Sequence, residues 1–112
     1  MKATELQIRD WILYGDKPVK VLQLSENGKY DWVKPIPLTP KILDKNGFWV
    51  LEKVDNGAEE YIEYATDGLI FHYNRGNDYY FPNTPISWKY VHELQHVLRL
   101  CGLDELADNF KI

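Results

Sequence analysis

The chain has 112 residues, of which 13 are basic and 17 acidic, so its formal net charge is −4. This length suits one small domain with its own hydrophobic core, and an apolar content of 45% argues against disorder. The mild negative charge provides no general attraction to nucleic-acid phosphates or anionic membranes, so we expect neither as a partner. Residues 1–112 are therefore predicted to form a single domain.

The cysteine and signal content of the sequence favours a cytoplasmic protein. Cys101 is the single cysteine, which excludes an intramolecular disulfide and suits a reducing compartment. Neither a signal-peptide pattern nor an apolar run of about 18 residues is visible. Cys101 falls on the apolar side of a predicted helix, so we expect it to be a buried core residue rather than a nucleophile.

The first third of the chain has the pattern of an antiparallel β-meander. Short apolar or alternating segments, typical of strands, are separated by the turn-forming pairs Gly15-Asp16 and Asn27-Gly28. The predicted strands cover residues 6–8, 11–14, 19–24 and 30–33. Short strands with this punctuation predict a curled or small barrel-like sheet.

A short middle helix is predicted after these strands. Thr39 is a suitable N-cap, Pro40 suits the first helical position, and Gly47 suits the left-handed conformation that ends a helix. Strand patterns then return at residues 48–54, 60–65, 69–73 and 79–81, with Asp67-Gly68 as a two-residue hairpin turn. Both faces of the strand at 69–73 carry apolar side chains, so we expect a second layer over it.

The last long element is an amphipathic helix over residues 90–101, which Gly102 would end. At about 100° per residue its apolar side chains fall in one arc, which we expect to cover the second face of strand 69–73. One further turn is predicted at residues 103–107. The fold class is therefore α+β, an antiparallel β-meander or small barrel-like sheet with a short middle helix and a C-terminal amphipathic helix packed on the sheet.

Within this helix, His92-Glu93-Leu94-Gln95-His96 matches the zinc-peptidase motif H-E-x-x-H. In that motif two imidazoles on one helical face bind zinc, and the glutamate activates the zinc-bound water. His92 and His96 are accordingly the candidate metal ligands, and Glu93 is the candidate catalytic residue.

Several features argue against a zinc hydrolase. Arg99 and Gly102 stand where the extended motif needs its glycine and its third histidine. His72, in a predicted strand, is the remaining imidazole, and nothing in the sequence brings it near. The two motif histidines lie opposite the apolar arc, so we expect them to face solvent. We therefore expect no enzymatic activity and no cofactor, with a minimal zinc hydrolase as the alternative.

Aromatic residues make up 14% of the chain, and several lie in predicted strands. Tyrosine and tryptophan contribute much of the energy at binding surfaces, although they also suit half-buried strands. Near one hairpin end, the candidate binding residues are Tyr73, Arg75, Tyr79 and Tyr80. Tyr61, Tyr64 and these three tyrosines have rings that can stack on bases, but the lack of a basic cluster argues against nucleic acid.

Three colinear segments carry a family resemblance, at residues 2–11, 35–48 and 90–96. They read KATELQIRDW, PIPLTPKIL followed by NGF, and YVHELQH. In these segments the chain resembles an uncharacterised family of small proteins from Bacteroidales bacteria and their phages or prophages. The family pattern resembles Tyr-Val-His-x-Leu-Gln, often followed by Asn, so His96 departs from it. The resemblance implies a mobile-element origin in a bacterial host and implies no catalytic residue.

These observations favour a non-enzymatic interaction module that acts through an aromatic-rich β surface. Its partner would be a protein or a small ligand, bound in the bacterial cytoplasm. A self-associating structural subunit, in which exposed aromatic residues mark contacts between copies, is a further alternative.

Overall fold

A computed structural model describes residues 5–22, 33–74 and 78–112. Antiparallel sheets and short helices confirm the α+β class. The described residues divide into a first unit, up to Leu38 with Tyr90–Phe110, and a second unit, Thr39–Lys89 with Lys111–Ile112. One domain over residues 1–112 stays a prediction.

The elements are β1 (Trp11–Tyr14), β2 (Lys17–Lys20), β3 (Val33–Lys34), α1 (Pro40–Lys45), β4 (Trp49–Asp55), β5 (Glu60–Thr66), β6 (Leu69–Tyr73), β7 (Tyr79–Tyr80), β8 (Ser87–Trp88), α2 (Val91–Leu100) and α3 (Asp104–Asp108).

The first unit contains a three-stranded antiparallel sheet in the order β2-β1-β3. Gly15 and Asp16 form the predicted two-residue turn between β1 and β2, and Gly15 has a φ of +63°. The strand predictions at residues 23–24 and 30–32 lie outside the described residues. A cluster of buried apolar side chains lies in this unit and consists of Leu6, Ile12, Val21 and Val33.

Residues 6–8 do not form the predicted strand. The Asp10 carboxylate accepts the Gln7 N–H at 2.7 Å, and the Asp10 N–H donates to the Gln7 carbonyl at 3.1 Å. These bonds close a tight turn in which Arg9 has a φ of +72°. A local carboxylate thus competes for the backbone and replaces the strand ladder that the alternating pattern predicted.

Helix α2 confirms the predicted C-terminal helix and packs against β1 and α3 of its own unit. Gly102, with a φ of +79°, ends it as predicted, and the Leu103 N–H donates to the Leu98 carbonyl at 2.8 Å. Helix α3 supplies the predicted further turn. Cys101, however, is exposed, so its prediction as a core residue is wrong. Cys101 is the C-cap of α2, one residue past the end of the helix at Leu100.

The second unit contains a five-stranded antiparallel meander in the order β4-β5-β6-β7-β8. Asp67 and Gly68 form the predicted turn between β5 and β6, and Gly68 has a φ of +80°. Helix α1 is the predicted middle helix, since the Thr39 hydroxyl accepts the Ile42 N–H at 3.3 Å and Pro40 begins the helix. None of the helices in the described ranges has the length and apolar character needed to cross a bilayer.

The two faces of this meander differ in packing. One face carries an aromatic core, in which the Phe71 ring contacts those of Phe48, Tyr64, Tyr79 and Trp88. The opposite face, which we call the outer face, carries the alternate residues of each strand. Ile70 on this outer face is 48% exposed, although the sequence predicted cover on both faces of β6.

Candidate functional site

The H-E-x-x-H segment lies in the first turns of α2, where Glu93 caps the helix. The Glu93 carboxylate accepts the Tyr90 N–H at 3.1 Å, a contact that satisfies one of the amides at the helix start. Leu94, one position further, is fully buried. Glu93 therefore has a role in helix stability that accounts for its place in the segment.

Gln95 is a buried amide that joins α2 to two other segments. Its Oε1 accepts the Trp11 N–H at 2.8 Å, and its Nε2 donates to the carbonyls of Arg9 and Ala107, each at 2.9 Å. These bonds use the acceptor and both donors of the side-chain amide. Since Gln95 has no exposed surface, its hydrogen bonds connect α2 to β1 and α3 without competition from water.

Asp10 is fully buried and binds two side chains of α2, a role that no sequence pattern predicted. Its Oδ2 lies 2.6 Å from Nε2 of His96, and its Oδ1 accepts from the Arg99 guanidinium at 2.7 Å. Arg99 also donates to the Gln7 side chain and the Ile8 carbonyl. Because a buried charge without a partner is costly, these contacts compensate the Asp10 carboxylate and hold the N-terminal segment on α2.

His92 is buried, with 6% of its surface exposed, so the prediction that both motif imidazoles face solvent is wrong. Its ring lies nearly parallel to that of Tyr90 and is T-shaped to that of His96, at a centroid distance of 5.6 Å. Burial and the neighbouring His96 lower the pKa of His92, which favours the neutral ring. The helical wheel failed because the segment around Asp10 covers this side of α2, a contact that helix periodicity does not encode.

An open pocket of about 500 Å³ lies beside these histidines in the first unit. It combines carboxylates and imidazoles, the side chains from which zinc sites are built. The residues that line it are Glu5, Gln7, Val33, Pro35, Tyr90, His92, Glu93 and His96.

The geometry of these side chains does not fit the zinc motif. Nε2 of His96 is directed at the Asp10 carboxylate, and the Nδ1 atom of His92 is enclosed, with no hydrogen-bond partner in the described ranges. No group of three or more His, Cys, Asp or Glu side chains within residues 5–22, 33–74 and 78–112 is placed to hold a metal ion. His72 lies on β6 of the second unit, where its Nε2 is 3.0 Å from Glu63.

The structure separates the predicted binding residues. Tyr79 lies on the core face with no exposed surface, and burial raises its pKa. Its prediction as a surface contact is therefore corrected. Tyr73 pairs with Tyr79, with the ring centroids 4.6 Å apart, whereas Tyr80 lies on the outer face because adjacent strand residues alternate. Arg75 lies outside the described residues.

Tyr80 belongs to a row of three rings on the outer face, Tyr61, His72 and Tyr80, which we call the outer aromatic row. The Tyr61 and His72 rings stack at 4.2 Å with 9° between their planes. His72 pairs with Tyr80 across β6 and β7, and the two rings meet edge to face at 5.7 Å. Three neighbouring strands, β5, β6 and β7, thus hold the row in place.

A concave surface adjoins this row and encloses a volume of about 500 Å³. The sequence predictions did not name Tyr61 or His72 as candidate binding residues, because they considered Tyr61 only for base stacking and His72 only for metal binding. Strand alternation could have indicated which residues share a face. The strand register that brings these rings together, however, is set by the tertiary structure. The surface is lined by Glu59, Glu60, Tyr61, His72, Asn74, Tyr80, Pro82 and Asn83.

Two concave surfaces are thus candidates, one beside α2 and one beside the outer aromatic row. At the first, His96 and Glu93 make hydrogen bonds that stabilise the fold. At the second, the rings lie on the face opposite the aromatic core. Comparisons of the chain with protein-family models, curated proteins and solved structures found no match.

Proposed function

We propose that this chain is a non-enzymatic interaction module and that the outer aromatic row is its working surface. The observation that carries the proposal is the position of Tyr61, His72 and Tyr80, whose rings contact one another in a row on the face opposite the core. Rings of this kind offer large contact area at a low cost in side-chain entropy. A concave surface adjoins them, so a partner has a shape into which it can fit.

The contacts of the H-E-x-x-H segment support the non-enzymatic part of the proposal. Glu93 caps α2, Gln95 joins three segments, and His96 binds the buried Asp10 carboxylate. A reaction that used these groups would have to break contacts that stabilise the fold. Their chemistry is accounted for without a substrate.

The partner we propose is a protein in the cytoplasm of a bacterial host. Glu59 and Glu60 line the concave surface, and carboxylates at a binding surface repel nucleic-acid phosphates. The family resemblance favours a mobile-element origin, and hence a host or phage protein as the partner.

Affinity capture from a lysate of a Bacteroidales host tests this proposal. The baits are the parent chain, a Tyr61→Ala/Tyr80→Ala double variant and a Tyr14→Ala control, which removes an exposed tyrosine from the first unit. We expect parent and control to recover the same protein and the double variant to recover about tenfold less, as for loss of interface anchors. Equal recovery by all three baits would contradict the proposed surface, provided that circular dichroism shows the variants folded.

Self-association is a second candidate function, and the edge strand β4 favours it. Strand β4 has β5 on one side and lies at the end of the described sheet. Trp49, Val50 and Leu51 are 51%, 44% and 48% exposed. An apolar strand edge with unpaired backbone groups is a site for pairing with another chain. Sedimentation should then show a dimer that Leu51→Lys dissociates, and a monomeric parent at high concentration would reject this candidate.

A further inference from the structure

The concave surface beside the outer aromatic row has acidic character. Glu59 and Glu60 line it, and none of its described lining residues is a lysine or an arginine. Glu63 adds a carboxylate next to His72, at 3.0 Å from Nε2. Burial and the carboxylate of Glu59 raise the pKa of the Tyr61 hydroxyl. The surface therefore matches a partner of positive charge.

The rings favour the same kind of partner. The face of a tyrosine ring is electron-rich and attracts a cation placed over it. A guanidinium combines this stacking with paired hydrogen bonds to a carboxylate, and it is less strongly hydrated than an ammonium group. Rings and carboxylates on one surface thus fit arginine better than lysine.

We propose that the outer aromatic row binds an arginine side chain from a basic segment of a protein partner. Tyr61 and Tyr80 provide the stacking surface, and Glu59 provides the countercharge. This inference rests on the proposed function and names the chemistry of its partner.

An NMR titration of the full chain tests the inference with defined peptides. The first probe is an acetylated, amidated Gly-Arg-Gly-Arg-Gly peptide, and the second has citrulline in place of each arginine. Citrulline keeps the shape and several donors of arginine but has no charge. We expect the arginine peptide to shift the resonances of Tyr61, His72 and Tyr80, and the citrulline peptide to bind about tenfold more weakly, as for loss of a cation–π contact.

Matched charge variants locate the contact. Glu59→Gln should weaken binding of the arginine peptide about three- to fivefold, the effect of one exposed ion pair. Glu105→Gln makes the same charge change at an exposed position of α3, in the first unit, and should leave the affinity within about twofold. Tyr61→Leu should weaken binding as well, and Glu59→Gln keeps the test valid if that variant does not fold.

The outcomes separate this inference from the proposed function. Equal binding of the citrulline peptide at the outer aromatic row would overturn the arginine inference while leaving the binding surface supported. Equal losses for Glu59→Gln and Glu105→Gln would also overturn it, because the attraction would then be a general effect of net charge. If neither peptide shifts the resonances of the outer aromatic row, the arginine inference fails. The affinity-capture experiment then tests the proposed function independently.

Discussion

The carboxylate of Asp10 lies 2.6 Å from Nε2 of His96, although the two residues are 86 positions apart in the chain. The same carboxylate accepts a hydrogen bond from Arg99 at 2.7 Å. The second histidine of the H-E-x-x-H segment therefore serves as a structural partner of a buried acid. This pairing explains the histidine without a metal and makes its role measurable.

Asp10→Asn should lower the free energy of unfolding by about 3–5 kcal/mol, because His96 and Arg99 would lose a buried charge partner. Urea unfolding followed by tryptophan fluorescence measures this loss. Asp16→Asn, at an exposed turn position, should change stability by less than about 0.5 kcal/mol. A loss below about 1 kcal/mol for Asp10→Asn would show that the cluster contributes little to stability.

Gln95→Met should lower the free energy of unfolding by about 3 kcal/mol or more. The change leaves the Trp11 N–H and the carbonyls of Arg9 and Ala107 without their partner, and each unsatisfied buried group costs about 1–3 kcal/mol. Gln7→Met is the matched control, since Gln7 is exposed and its side chain accepts one bond from Arg99. Similar small losses for both variants in the same urea assay would refute the bridging role of Gln95.

The stability of the chain should depend on the titration of His92. Its pKa is lower in the folded than in the unfolded state, so the unfolded state binds the proton first as the pH falls. The stability that neutral His92 contributes to the fold is fully present above the unfolded pKa of about 6.5. It is lost as the pH drops from there toward the folded pKa. The slope should reach at most about 1.4 kcal/mol per pH unit.

Unfolding experiments between about pH 7.5 and about pH 4.5, a range around the histidine pKa, measure this slope for the parent and two variants. His92→Phe, which keeps a buried ring, should remove the His92 part of the slope. His72→Gln, which changes an imidazole on the sheet, should retain that part. A parent slope that His92→Phe leaves unaltered would mean that other groups cause the acid sensitivity.

Elemental analysis of the purified chain tests the zinc alternative directly. We expect less than stoichiometric zinc after incubation with the metal, because the Asp10 contact engages His96 and Nδ1 of His92 is enclosed. One zinc per parent chain, lost in His96→Ala, would restore the metal site and with it Glu93 as the candidate catalytic residue.

Local signals in the sequence determined most of the secondary structure. Thr39 and Pro40 begin α1, Asp67 and Gly68 form the β5–β6 turn, and Gly102 ends α2, because capping and turn formation depend on neighbours a few residues apart. Residues 6–8 show the limit of such signals. Their alternating pattern predicted a strand, but the hydrogen bond from the Gln7 N–H to the Asp10 carboxylate forms a turn instead.

Only the tertiary structure decided where the candidate side chains lie and which groups they contact. His92 is buried and His96 is bound because a segment about 86 residues earlier covers one side of α2, and helix periodicity contains no information about that contact. Strand alternation separates Tyr79 from Tyr80 but does not say which face is covered. Strand register then places Tyr80 beside His72, so the outer aromatic row depends on pairing between strands rather than on any motif.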